Sequence, residues 1–342
     1  MDERSRRPPT GAGNQRIRTP PLGVPAVPQS SPQMPAIVNT PPLGVPSVRG
    51  FAPPTRPVLA VTFPVVGTTL RSSKGTYTVS RILGSGEFGA VYECIGPFDQ
   101  VYALKMMRPA NRPYEEVHKE WAKEVQRLMS LRHPNVVYIH DAFEQDLLFY
   151  LALERCDHAL DAMLGTPMDE ALVIELARQL LAAVQFLHDN DVVHDDLHPG
   201  NVLITHGDRP QVKLSDFGIS NELRGAQAVR PSVVHHAIMA PEIIASGYTT
   251  KQSDLYQVGL LLYWMLTGKP AMPLDTKYEQ LLRAVAEGLP RKRAEAIGTP
   301  LGMLIAKMLR RREQYRYSSA REVWADLRQL PSWQKRQLFP IK

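Results

Sequence analysis

The sequence predicts an α+β fold in two lobes, a small β-rich one followed by a larger helical one. Two observations carry this. Three strand-like segments, TYTVSRIL, GAVYECI and VYALKMM, crowd into residues 76–107 with turn residues between them, and from residue 114 onward apolar residues recur at spacings of three and four. Strands followed by helices, without regular alternation, favour α+β over a doubly wound parallel sheet.

Residues 1–66 precede the strands and read as a disordered, proline-rich basic tail. Fifteen of the thirty prolines fall in residues 1–64, and TPPLGVPAV at 19–27 returns as TPPLGVPSV at 40–48. Proline has no N–H to donate and a fixed φ, so the segment is expected to be extended and polyproline-like. It reads as a tether, or as a docking arm for a partner, with Thr19 and Thr40 each followed by proline. The composition changes near Gly67, and the folded domain is expected over 67–331 with a short tail at 332–342. After the strands, EEVHKEWAKEVQRLMSL, ALVIELARQLLAAVQFLHD, SDLYQVGLLLYWMLTG, YEQLLRAVAEGL, LGMLIAKMLRR and AREVWADLRQL each carry a helical stripe.

Composition narrows the class of function. With 342 residues and 44% hydrophobic content the chain can bury a sizeable core. Its net charge of +6 is concentrated in the tail, where seven arginines oppose Asp2 and Glu3 for a net of +5, so the remainder is nearly neutral and no nucleic-acid partner is expected. The longest apolar run, YQVGLLLYWML at 256–266, is too short to span a bilayer, and a cytoplasmic protein without a membrane span is expected. Cys94 and Cys156 read as free thiols.

The residues suited to chemistry come in order along the chain. GSGEFGAV at 84–91 sits between two strands, so it lacks the strand-to-helix setting of a dinucleotide fingerprint. Lys105 follows in VYALK, where a strand could aim its ammonium at nucleotide phosphates, and Glu124 lies on a helix from which it can reach back to that lysine. VHDDLHPGNVLI supplies Asp196 and Asn201, and KLSDFGIS supplies Asp216. A base beside an acceptor hydroxyl and two oxygen ligands for Mg²⁺ are what phosphoryl transfer requires.

On these motifs, with APE at 240–242, the chain resembles the eukaryotic-like (Hanks-type) serine/threonine protein kinase family over residues 67–331. The resemblance implies ATP and Mg²⁺ as cofactors and protein Ser/Thr hydroxyls as acceptors. It assigns Leu83, Gly84, Ser85, Gly86, Glu87, Phe88 and Gly89 to the loop covering the phosphates, Lys105 to the phosphates themselves, and Glu124 to holding Lys105. Val91, Ala103 and Leu203 would clamp the adenine, Leu153 would be the gatekeeper, and Glu154 to Cys156 the hinge. Asp196 would be the base, with Asn201 and Asp216 holding the metal. Leu128, Ile139, His194 and Phe217 would stack as a column, Asp254 would brace the catalytic loop, and Arg316 would pair with Glu242.

Two letters depart from the family's loop. Asp195 stands where an arginine usually receives an activating phosphate, and His198 stands where a lysine supports the transferred phosphate, a task that would fall to a protonated imidazole. The segment 219–239 holds no Thr or Tyr and only Ser220 and Ser232 as hydroxyls, while Arg224 or Arg230 could pair with Asp195 in an inverted ion pair. DLHPGN is also similar to the loop of small-molecule phosphotransferases acting on aminoglycosides and choline, and His235 stands where Ser/Thr kinases usually carry a threonine. A small-molecule kinase and a catalytically weak scaffold are therefore the alternative readings.

Overall fold

Six strands form the first part of the domain: β1 (Thr69–Ser72), β2 (Gly75–Gly86), β3 (Gly89–Ile95), β4 (Val101–Met107), β5 (Ile139–Gln145) and β6 (Leu148–Glu154). They pair antiparallel in the order β1-β2-β3-β4-β6-β5. The alternation in TYTVSRIL and VYALKMM explains the layering, because every second side chain enters a common core of Tyr77, Val79, Leu104, Met106 and their neighbours. Tyr77 stacks on Phe143 at 5.5 Å between ring centroids and meets the edge of Tyr102 at 5.4 Å. One helix, α1 (Tyr114–Ser130), interrupts the strands and packs on β5 and β6.

The structure is a computed structural model that describes residues 63–86, 89–107, 113–207, 209–217, 220–231, 238–272 and 277–338. All of these lie in one unit, Leu59–Lys342. The proline-rich repeats, Glu87, Phe88, Ser232 and His235 fall outside the described residues.

The helical lobe follows. After β7 (His158–Ala159) come α2 (Glu170–Asp189), β8 (Val192–Val193), β9 (Val202–Thr205), β10 (Gln211–Leu214) and β11 (Asn221–Glu222). Then come α3 (Pro241–Ser246), α4 (Lys251–Thr267), α5 (Tyr278–Ala286), α6 (Leu289–Glu295), α7 (Pro300–Met308), α8 (Ala320–Leu327) and α9 (Pro331–Leu338). The short strands make two small sheets, β10-β9-β7 and β11-β8. Side-chain caps open α2 and α4: Asp169 accepts from Ala171 N at α2, and Thr250 and Ser253 form a reciprocal capping box at α4.

α4 is apolar on nearly every side, and its residues Leu255 to Leu262 are buried, as expected for a helix running through the middle of a lobe. α2 is long and apolar enough to cross a membrane, but it packs against α4, α8 and β10 within the core. The helix expected over YEQLLRAVAEGL is α5, which ends at Ala286, and a further helix, α6, starts after Gly288, whose φ of 68° is left-handed. The domain also continues past residue 331, where a tail was expected. α9 folds back so that Trp333 meets Trp324 edge-on at 5.1 Å and Ser332 Oγ donates to Glu170 at 2.6 Å.

Candidate active site

Lys105 stands in mid-β4, opposite Val91 of β3 and Leu151 of β6. Leu104 and Met106 fill the core of the sheet, so Ala103 and Lys105 face the other way, and Ala103 packs on the core of the helical lobe. Lys105 Nζ lies 2.9 Å from Glu124 Oε1 on α1 and 3.1 Å from Asp216 Oδ1. Burial works to deprotonate the ammonium, but the charges of Asp216 and Glu124 outweigh it and raise its pKa above the usual lysine value. The lysine is thus a fixed cation shared by two carboxylates.

The loop 194–201 takes its shape from α4. Asp254, fully buried, accepts from His194 N at 3.0 Å, from Asp195 N at 2.8 Å and lies 2.8 Å from His188 Nε2. One helical turn on, Gln257 receives Leu197 N at 3.0 Å and donates to Asp195 O at 3.1 Å. These bonds hold Asp195 at a left-handed φ of 66°, a conformation Asp tolerates better than most residues. The brace expected of Asp254 is therefore in place. His188 and Gln257 were not foreseen. Gln257 could have been found, since it shares Asp254's helix face at a spacing of three.

Within the loop, Asn201 Nδ2 donates to Asp196 Oδ2 and to Asp196 O, each at 3.0 Å. His198 Nε2 lies 3.6 Å from the same Oδ2, while its Nδ1 accepts from Gly200 N at 3.1 Å. A ring nitrogen that accepts carries no proton, so the proton sits on Nε2, facing Asp196. Asp196 Oδ1 is buried and, among the described residues, has no hydrogen-bond partner. One carboxylate oxygen is held and the other is unengaged.

The remaining predicted residues are placed by their strands and local bonds. Gly84 pairs with Val91, Ser85 with Ala90 and Gly86 with Gly89 across the β2–β3 hairpin, and Leu83 sits in the bulge between Ile82 and Gly84. Gly89 is obligatory, because a Cβ there would lie 2.0 Å from Met106 O in β4. Leu203 lies in β9 opposite Ala159 and Lys213. The Glu154 side chain is engaged by Tyr138 N at 2.7 Å and Lys213 Nζ at 2.9 Å, so only its backbone can face a nucleotide. Cys156 is buried, and burial pushes its thiol up to about 12. Leu128, Ile139, His194 and Phe217 are all buried, with His194 and Phe217 rings 5.2 Å apart. In the helical lobe Arg316 grips Glu242 with two bonds of 2.7 and 2.8 Å.

The inverted pair at Asp195 does not form. Among the described residues its carboxylate receives Thr249 Oγ1 at 2.6 Å and Asn221 Nδ2 at 3.4 Å, not either arginine. Arg224 is exposed and meets Glu222 at 3.2 Å, and Arg230 lies 5.5 Å over the ring of Tyr248. The physical reason is burial: Asp195 turns into the lobe, under α4, where an exposed guanidinium cannot follow without losing its water.

A sheet lysine bonded to a helix glutamate and to Asp216, on a bilobed α+β scaffold whose braced loop carries Asp196, is the arrangement of a protein-kinase-like fold. The chain belongs to the protein kinase domain family, whose model matches residues 77–327. It is similar to the serine/threonine-protein kinase PrkC of Bacillus subtilis, with 27% identity over 74% of this chain and 40% of that protein. It is also similar to the human serine/threonine-protein kinase D2, with 30% identity over 73% of this chain and 30% of that protein. Calcium-dependent protein kinase 24 of Arabidopsis thaliana is 30% identical over 62% of this chain and 37% of its own length. The chain thus spans less than half of each of these relatives.

Proposed function

We propose that this chain transfers the γ-phosphoryl group of ATP to Ser or Thr hydroxyls of protein substrates. The observation that carries the reading is Asp196, whose Oδ2 is held by Asn201 while its buried Oδ1 has no hydrogen-bond partner among the described residues. In this reading Oδ1 accepts the proton of the attacking hydroxyl as the new O–P bond forms and the bond to the ADP oxygen breaks. Lys105, fixed by Glu124 and Asp216, holds the nucleotide phosphates. Asp216 and the amide oxygen of Asn201, whose nitrogen is turned to Asp196, would be the oxygen donors for Mg²⁺, a hard cation that would neutralise phosphate charge. The β2–β3 hairpin covers the phosphates, with Val91, Ala103 and Leu203 around the adenine. His198 stands beside the base, its Nε2 3.6 Å from Asp196 Oδ2. The printed names of the relatives, serine/threonine-protein kinases, support the same acceptor class.

The test is incubation of the full chain with labelled ATP and Mg²⁺, a Ser/Thr peptide library and a panel of amino-alcohols. Label on peptides, lost in Asp196→Ala, is expected. Label on amino-alcohols alone would move the protein to small-molecule phosphotransfer, and no transfer to either would leave a scaffold.

A further inference from the structure

Arg127 lies one turn beyond Glu124 on α1 and is only 4% exposed, among the apolar residues of the helix's inward face. An arginine is almost never buried so deeply unless it is paired. Its Nη1 donates to Phe217 O at 3.0 Å and to Ser220 Oγ at 2.6 Å, and its Nε lies 3.8 Å from Glu222 Oε1. All three partners belong to the stretch that follows Asp216.

The bonds close a ring. Lys105 joins Glu124 of α1 to Asp216, and Arg127 of the same helix joins the backbone of the very next residue, Phe217. One salt bridge would fix the distance of α1 but leave it free to roll about its axis. Two attachments three residues apart on one helix face fix the roll as well. We infer that Arg127 is a positioning residue: it locks α1 to the segment 217–222 so that Glu124 meets Lys105 with no phosphate on that segment.

Three further observations agree. Ser220 is fully buried, donates to Phe217 O at 2.8 Å and receives Arg127, so its hydroxyl is closed to modification while the ring holds. β11 is pinned to β8, with Asn221 opposite Val193 and Glu222 opposite Val192, which anchors the stretch next to the catalytic loop. Asp195, where an arginine would receive a phosphate, is a buried acid bonded to Thr249, and it would repel such a group.

The inference rests on the kinase reading, and the experiment separates the two. Full chain treated with phosphatase is compared with Arg127→Met, Arg127→Lys and Ser220→Ala, using dephosphorylated casein as acceptor, calorimetry for ATP binding and hydrogen exchange over residues 114–130. Phosphatase-treated wild type should keep its activity. Arg127→Met should lose on the order of tenfold or more in kcat/KM, the scale of one buried charged hydrogen bond, bind ATP more weakly and exchange faster along α1. Arg127→Lys should recover part of each loss. If Arg127→Met does not fold, Ser220→Ala and Glu222→Gln, which keep the arginine, should each raise exchange along α1. Wild-type kinetics and wild-type exchange in Arg127→Met would overturn the inference, as would activity lost to phosphatase and restored by preincubation with ATP. Absence of transfer by wild type would instead refute the kinase reading, and the exchange comparison would still decide the role of Arg127.

Discussion

Asp196 and Asp195 are neighbours with opposite expected behaviour. Asp196→Ala removes the proton acceptor and leaves Lys105, Glu124 and Asp216 bonded to one another. Turnover should fall by on the order of 10² or more, while ATP still raises the melting temperature as in wild type. Asp195 is a matter of stability. Burial, reinforced by the charges of Asp254, Asp196 and Glu242 and opposed by the Thr249 hydrogen bond, pushes its carboxyl up to about 7. An unfolded aspartate titrates near about 3.9, so between that value and 7 the folded chain keeps a proton that the unfolded chain has released. Stability contributed by this site therefore falls as pH rises through that window, and the full cost of a buried charge is present above 7. Asp195→Asn should melt higher than wild type at pH 8, and the advantage should shrink towards pH 5. Melting curves at both values check this, and a variant equally destabilised at both would refute it. The letter change at 195 was legible in the sequence, but the direction in which that side chain turns was not, because Thr249 and Asn221 are brought to it by tertiary packing.

Among the elements, β2 to β4 and the helices with an apolar stripe were readable from period, since that signal lies within a few residues of its effect. α9 was not. PSWQKRQL has little apolar surface and is held by Trp333 against Trp324, a contact that exists only once α8 is in place. The hairpin glycines show the same division. All of them look alike in GSGEFGAV, yet a Cβ at Gly84 would meet nothing within 4 Å and one at Gly89 would strike Met106 O. Gly89→Ala must part β3 from β4, the strand that carries Lys105. It is expected to cost more than about 2 kcal/mol and to weaken ATP binding, whereas Gly84→Ala should stay within about 1 kcal/mol. Denaturant titrations and ATP calorimetry on the pair measure the contrast.

Across the whole molecule, the buried pair of Arg316 and Glu242 ties elements of the helical lobe together. Arg316 binds Glu242 bidentately, and Glu242 also receives Ser253 Oγ at 2.6 Å, so α3, α4 and the stretch before α8 share a single charged junction. Arg316→Ala would leave Glu242 buried and unpaired, which should destabilise the protein by about 3–5 kcal/mol in a denaturant titration. That pair, like Lys105, Asp196, Asn201 and Asp216, could be named from motifs, because each is carried by a fixed local pattern. His188 and Arg127 carry no such pattern, since their partners, Asp254 for one and Phe217, Ser220 and Glu222 for the other, lie far along the chain. The bonds from Asp254 to His194 N and Asp195 N span 60 and 59 residues. Chains are synthesised from the N-terminus, so the letters of the catalytic loop leave the ribosome well before the helix that shapes them. A nascent chain that ends ahead of α4 holds Lys105, Asp196 and Asp216 but none of the bonds that Asp254 and Gln257 make to its loop. Truncated translation products of this protein are therefore expected to be inert, however complete their motifs.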